Sequence, residues 1–208
     1  EYEIDGILVG DLIYDTYLRT FEAPTVDLSD PRLKTILLNA HDIFFSCQKY
    51  LDEENVQKII VSHAVYIQYG ILARLALSKG IDVYNPLWER VLKKLSPDHF
   101  VPSPRHHLYP EIFKSLDNKI SLKNEAKQIL ESRLRGEVDR GIAYMEKSSF
   151  GEQNTNAKRV FLNNGYPKIA MMLHCFYDAP HIYRYMIFED FYEWVELVFS
   201  TIGDMNVD

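Results

Sequence analysis

Apolar and polar positions follow two different rhythms along this chain, and each change of rhythm marks a predicted element. From Arg32, the residues Leu33, Ile36, Leu37, Ala40, Phe44, Cys47 and Leu51 fall three or four apart, which places them on one face of a helix. The polar run Asp52 to Asn55 ends that pattern. KIIVSH, residues 58–63, is a β-branched run that predicts a short strand. A second helical pattern covers about 66–79, with Ile67, Ile71, Leu72, Leu75 and Ala76 on one side. Gly80 then supplies the left-handed residue that often closes a helix, and Ile81, Val83 and Tyr84 open the next strand around polar Asp82. Strand, helix, glycine, strand is a βαβ unit, and such units build parallel sheets.

Outside this unit the pattern predicts a strand at IDGILVG, loops with short helical pieces between Pro86 and Pro110, and a helix over Ser121 to Leu134 with Leu122, Ala126, Ile129 and Leu130 inward. Residues 135–150 are readable as helix or loop, and the Asn-rich stretch 151–164 reads as a surface linker. KIAMMLH, from Lys168, predicts a buried strand. HCFYDAPH then makes a loop, and a helix begins at about Phe188. Phe188, Phe191, Tyr192, Val195, Val198, Phe199 and Ile202 form its apolar stripe, with Glu189 and Asp190 at the end where the helix dipole favours anions. The stripe is a core face, yet a single strand and helix cannot close a core of their own. The expected organisation is an α/β lobe over 1–150, a linker over 151–167, and the first strand and helix of a second lobe over 168–208.

Composition narrows the function classes. The 208 residues are 47% hydrophobic and 25% charged, as in folded proteins rather than disordered ones. The 23 basic and 30 acidic residues leave a net charge of −7, so the overall field repels polyanions and argues against nucleic acid as a partner. Cys47 and Cys175 give neither a disulfide framework nor a zinc spacing, which fits a reducing compartment. No apolar run approaches the roughly 20 residues of a membrane-spanning helix. The chain also lacks a GxGxxG turn, a phosphate-binding GxxxxGK[ST] loop, a GxSxG elbow and a CxxC pair.

Ligands of open α/β sheets bind beyond the carboxyl ends of the strands, so the candidate chemistry lies just after each predicted strand. In the first such place Asp11, Asp15 and Arg19 fall four apart and share a helix face; a solvated face, or a helix cap at Asp11, is the plain alternative. In the second, His63 ends a strand and Tyr66 follows. Imidazole suits base work near neutral pH, although a lone histidine is more often structural. Gly70, inside the predicted helix, suggests close approach by a neighbouring backbone or a ligand. In the third, His174, Asp178 and His181 occupy eight residues. Their spacing is no known metal signature, and a polar loop contacting a ligand describes them better than a metal centre. His106 and His107 read as loop surface.

Taken together, DGILVGDLIYDTYLRT, IIVSHAVYIQYGILARLALSKGIDVY, SRLRGEVDRGIAYMEKSSFG and IAMMLHCFYDAPHIYRYMIFEDFYEW resemble, in order, a family of bacterial capsule and surface-polysaccharide biosynthesis proteins with a GT-B glycosyltransferase fold. The resemblance implies Rossmann-like lobes facing a cleft, one handling a glycan or glycolipid acceptor and the other a nucleotide-sugar donor, with no cofactor and no metal. It implies a cytoplasmic protein, peripheral at the inner membrane or associated with polysaccharide-assembly proteins. Carried over, His63 would be the catalytic base with Asp15 as its second. Asp11, Arg19, Tyr66, His174, Asp178 and His181 would contact substrate, the last group near the donor. The family's Lys-Pro-His-Pro type motif has no counterpart here, so the expectation is a truncated member or internal fragment with little turnover alone. A sugar-nucleotide epimerase or hydrolase, or a non-catalytic glycan- or partner-binding remnant, are the alternative functions.

Overall fold

The computed structural model describes residues 2–86, 92–97, 109–138, 168–182 and 186–204, with the single positions 145, 148, 150 and 165. The expected linker over 151–164, the His106–His107 pair and most of 139–150 lie outside the described residues. The chain is a mixed α/β protein. It divides into two compact units, one comprising residues 1–103 and 170–208, the other 104–169.

The first unit opens on a hairpin. Strands β1 (Glu3–Ile4) and β2 (Ile7–Leu8) pair antiparallel, where the sequence pattern predicts one continuous strand. The turn residues Asp5 and Gly6 both have positive φ, 49° and 76°, the backbone that Asp-Gly turns favour because its twist matches that of the strands. Helix α1 (Gly10–Phe21) follows and buries Leu12, Ile13, Thr16, Tyr17 and Leu18. Helix α2 (Pro31–Glu53) starts with Asp30 as its cap, accepting from the backbone N–H of Arg32, and with Pro31 in the first turn, where its missing N–H costs nothing. It buries Ile36, Ala40, Phe44 and Leu51, four of the predicted apolar positions. Cys47, expected as a core residue, is only partly buried beside that cluster.

Strand β3 (Lys58–Ile60) pairs in parallel with β4 (Asp82–Pro86), and helix α3 (Ile71–Ser78) lies between them in the chain. The βαβ unit is therefore formed, and Gly80 has φ 75° as its role at the helix end requires. Two features depart from the pattern. The segment Tyr66–Gly70 is a π-helical turn that precedes α3, and Leu92–Lys94 forms β5, antiparallel to β4, inside the stretch read as loops. The sheet is thus mixed, in the order β3–β4–β5, rather than parallel throughout. Lys94 meets Asp82 across the β4–β5 pair at 2.5 Å, a partly exposed cross-strand charge pair.

The C-terminal part of this unit differs more. From Lys168 and Ile169, the last residues of the second unit, through Cys175 the chain runs without helix or strand, and Ile169, Met172 and Leu173 are exposed. A strand needs a neighbour to complete its hydrogen-bond ladder, and none of the described residues provides one. Helix α6 (Phe191–Asp204) begins three residues later than its apolar stripe predicts and buries no residue. In the second unit, α4 (Tyr109–Ser115) and α5 (Lys119–Leu134) are exposed along their length. Leu122, Ile129 and Leu130, expected inward on α5, face solvent.

Candidate functional site

Helix α1 brings polar side chains into the unit at successive turns, and each meets a partner from a different part of the chain. Asp11 accepts a forked pair of bonds from Arg74 of α3, at 2.6 Å from Nη1 and 2.5 Å from Nη2. Nη1 of Arg74 also donates to the carbonyl oxygen of Leu8 at 2.6 Å. The planar guanidinium suits this double duty, and it ties β2, α1 and α3 together.

One turn on, Asp15 is 2% exposed, and its Oδ1 lies 2.6 Å from Nδ1 of His181. His181 stands on a single 3-10 turn, Pro180–Ile182, which follows Ala179 in left-handed backbone with φ 48°. Burial pushes the Asp15 carboxyl above its ordinary value, against the pull of His181. For His181 burial works the other way, disfavouring the imidazolium, but the bond and charge of Asp15, helped by Asp11 and Asp190, hold its value above the ordinary one.

Tyr14, next to Asp15, packs its ring edge-on against His181 with centroids 4.8 Å apart. Its hydroxyl donates to Oδ2 of Asp190 at 2.6 Å and lies 3.0 Å from the hydroxyl of Thr25. Burial and then Asp190 push the Tyr14 phenol up to about 12. Asp190, itself 2% exposed, stays below the ordinary carboxyl value although burial opposes this, because hydrogen bonds from Thr25, Tyr14 and the N–H of Glu193 favour its charged form.

The rim is formed by Tyr66, Asp178 and Arg19. The Tyr66 hydroxyl donates to Oδ1 of Asp178 at 3.2 Å, and Arg19 Nη1 lies 3.8 Å from the same oxygen. Burial, followed by the charge and bond of Asp178, pushes the Tyr66 phenol up to about 12. Tyr66 holds φ at 59°, in the left-handed region that disfavours an L side chain, and it opens the π-helical turn. That turn rests on α1: the N–H of Ile67 donates to the Thr16 hydroxyl at 3.0 Å. A Cβ added to Gly70 would fall 2.5 Å from Leu12 Cδ2 and 2.9 Å from the Ala64 carbonyl oxygen. The close approach expected at Gly70 is thus made by protein.

Asp11, Asp15, Arg19, Tyr66, Asp178 and His181 therefore belong to one neighbourhood. His63 joins it only through rings, at 6.3 Å from Tyr66 and 4.3 Å from Tyr69, with its Nδ1 3.0 Å from the Ser62 hydroxyl. Buried Asn85 of β4 holds this strand-end loop by donating to the carbonyl oxygens of Val61 and Ser62. His174 stands elsewhere, stacked on Phe191 at 5.0 Å with Nδ1 3.1 Å from the Cys175 carbonyl oxygen. Tyr14, Thr25 and Arg74 were not singled out by the sequence pattern, and Asp190 only as an acid at the end of the last helix where the dipole favours anions. Asp190 alone carried a signal, standing three residues before Glu193 at the head of an apolar stripe, the spacing of a capping box.

Among the described residues no three His, Cys, Asp or Glu side chains are grouped to hold a metal ion, and no helix is long and apolar enough to cross a membrane. A separate groove of about 420 Å³, lined by Cys47, Tyr50, Val56, Ile59 and Leu72 among others, is chiefly apolar and holds no paired acid and base. No family model, curated protein or solved structure matches the chain.

Proposed function

We propose that this chain carries the acid–base centre of a glycosyl-transferring protein of surface-polysaccharide synthesis, acting on a hydroxyl of a glycan or glycolipid acceptor with a nucleotide sugar as donor. The observation that carries this reading is the Asp15–His181 pair, 2.6 Å apart and joined across 166 residues of chain. It supports a different division of labour from the one the resemblance implies. A carboxylate that accepts from Nδ1–H fixes the tautomer and orientation of the ring, and Nε2 becomes the atom that takes the acceptor's proton. His181, rather than His63, is then the base, Asp15 its orienting partner, and Tyr66, Asp178 and Arg19 the groups that meet sugar hydroxyls at the rim. A GT-B lobe with a Rossmann-like sheet is the setting in which such a pair would face a donor.

The test is to titrate the full chain with a panel of uridine and cytidine nucleotide sugars and of oligosaccharide acceptors, following the His181 imidazole by NMR and any sugar transfer or donor hydrolysis by product analysis. Acceptor-dependent shifts at His181 are expected, with any turnover falling about 10²–10⁴-fold in His181→Gln, the usual contribution of a general base. An unperturbed His181 at about 10 mM of every sugar tested, weaker than the millimolar binding worth about 4 kcal/mol, would sink the proposal. Epimerised or hydrolysed donor as the sole product would replace transfer by the corresponding reaction.

A further inference from the structure

The carboxylate of Asp190 serves two elements at once. Its Oδ1 accepts from the backbone N–H of Glu193 at 2.9 Å, in the first turn of α6, and its Oδ2 accepts from the Tyr14 hydroxyl of α1 at 2.6 Å. Glu193 reaches back in turn, accepting from the N–H of Glu189 at 2.8 Å. The start of α6 is therefore a closed hydrogen-bonded cap whose outward oxygen is committed to α1. Asp190 is 2% exposed, whereas α6 buries none of its own residues. The polar cap, and not the apolar stripe, is what docks this helix on α1.

Tyr14 is the other half of the connection. Its hydroxyl is held by Asp190 and Thr25, and its ring stands edge-on to His181 at 4.8 Å. His181 is thus gripped from two adjacent positions of α1, by the Asp15 carboxylate at Nδ1 and by the Tyr14 ring on its flank. Asp190 lies nine residues beyond His181, and its bond to Tyr14 brings the chain back to the helix that carries Asp15.

We propose that Tyr14 and Asp190 are positioning residues, a hydrogen-bonded latch by which the N-terminus of α6 seats His181 against Asp15. The catalytic meaning of this latch rests on the acid–base function proposed above, but its structural content stands without it. Tyr14→Phe keeps the ring beside His181 and removes the hydroxyl. Asp190→Ser keeps a good helix cap on a side chain too short to reach Tyr14 as well. Asp190→Asn keeps the cap through its single oxygen and keeps a hydrogen bond to Tyr14 with the direction reversed, Nδ2 donating to the phenol oxygen.

The experiment measures the Nδ1–H signal of His181 and its solvent exchange by NMR in the full chain, with far-UV circular dichroism confirming that each variant is folded. Exchange at least tenfold faster is expected in Tyr14→Phe and in Asp190→Ser, no further acceleration in the double variant because both break one latch, and near-normal exchange in Asp190→Asn. Unchanged exchange in either single loss variant overturns the latch. So does equal acceleration by Asp190→Asn and Asp190→Ser, which would reduce Asp190 to a cap. A chain that shows the expected exchange pattern yet binds no sugar keeps the latch and loses the proposed function; the reverse result does the opposite.

Discussion

Helices α1 and α6 are both amphipathic and of similar length, 12 and 14 residues, and they come to opposite ends. α1 is enclosed by α2, the π-helical turn and the 3-10 turn that carries His181, and half of its residues are buried. α6 has the longer unbroken stripe and buries nothing. The contrast separates two things that an apolar stripe is often taken to mean together. The period of the stripe specifies a helix, while burial depends on whether other elements supply an opposing surface. Where they do not, a few buried polar groups at one helix end can fix its position, as Asp190 does for α6.

Substitutions can sharpen this contrast in graded steps. Leu18→Ala, at a fully buried position of α1, should cost about 3 kcal/mol in urea unfolding, the range for large-to-small changes in a packed core. Gly70→Ala should cost about 2 kcal/mol by driving a methyl group into Leu12 and the Ala64 carbonyl. Adding Leu12→Ala should then cost less than in the native background, because the clash is relieved; strict additivity in a double-mutant cycle would count against the contact.

A smaller effect should depend on pH. His181 has a folded-state value above its ordinary one, with burial opposed and outweighed by Asp15. Its stabilising contribution is therefore complete below the unfolded value near 6.5 and is lost as pH rises through the folded value. Followed by NMR in the folded native chain, the His181 imidazole should titrate above its ordinary value, and titration below that value would contradict the sign of the shift. The smallest effect should come from Phe199→Ala, on the exposed stripe of α6, which should change stability by less than about 0.5 kcal/mol. A loss comparable to that of Leu18→Ala would show that α6 is covered after all.

The same contrast explains what the sequence made legible. Period and punctuation are local properties, and they revealed α2, the βαβ unit and the left-handed role of Gly80. The Asp5–Gly6 turn was also written locally, and the apolar run around it masked it as one strand. The π-helical turn has no local signature, since it depends on the Thr16 hydroxyl meeting Ile67 across 51 residues. At the site, Asp15 and His181 each stood out by type and by position, but spacing cannot show that residues 166 apart are hydrogen-bonded partners. Arg74 was hidden for a related reason. It lies within the apolar α3 and is buried there because Asp11 and Leu8 meet its guanidinium.

The π-helical turn carries a consequence for how this chain tolerates length changes. In a regular helix each residue advances the side chain by about 100°. Deleting one residue between Tyr66 and Gly70 would favour ordinary helical pitch and relieve the left-handed Tyr66, a local gain in backbone energy. The same deletion would swing the phenol by roughly a quarter turn away from Asp178 and shift the one glycine that lets α1 pass. A single-residue indel here would therefore relax the backbone while dismantling the rim, so selection for stability alone and selection for the site would pull this segment in opposite directions.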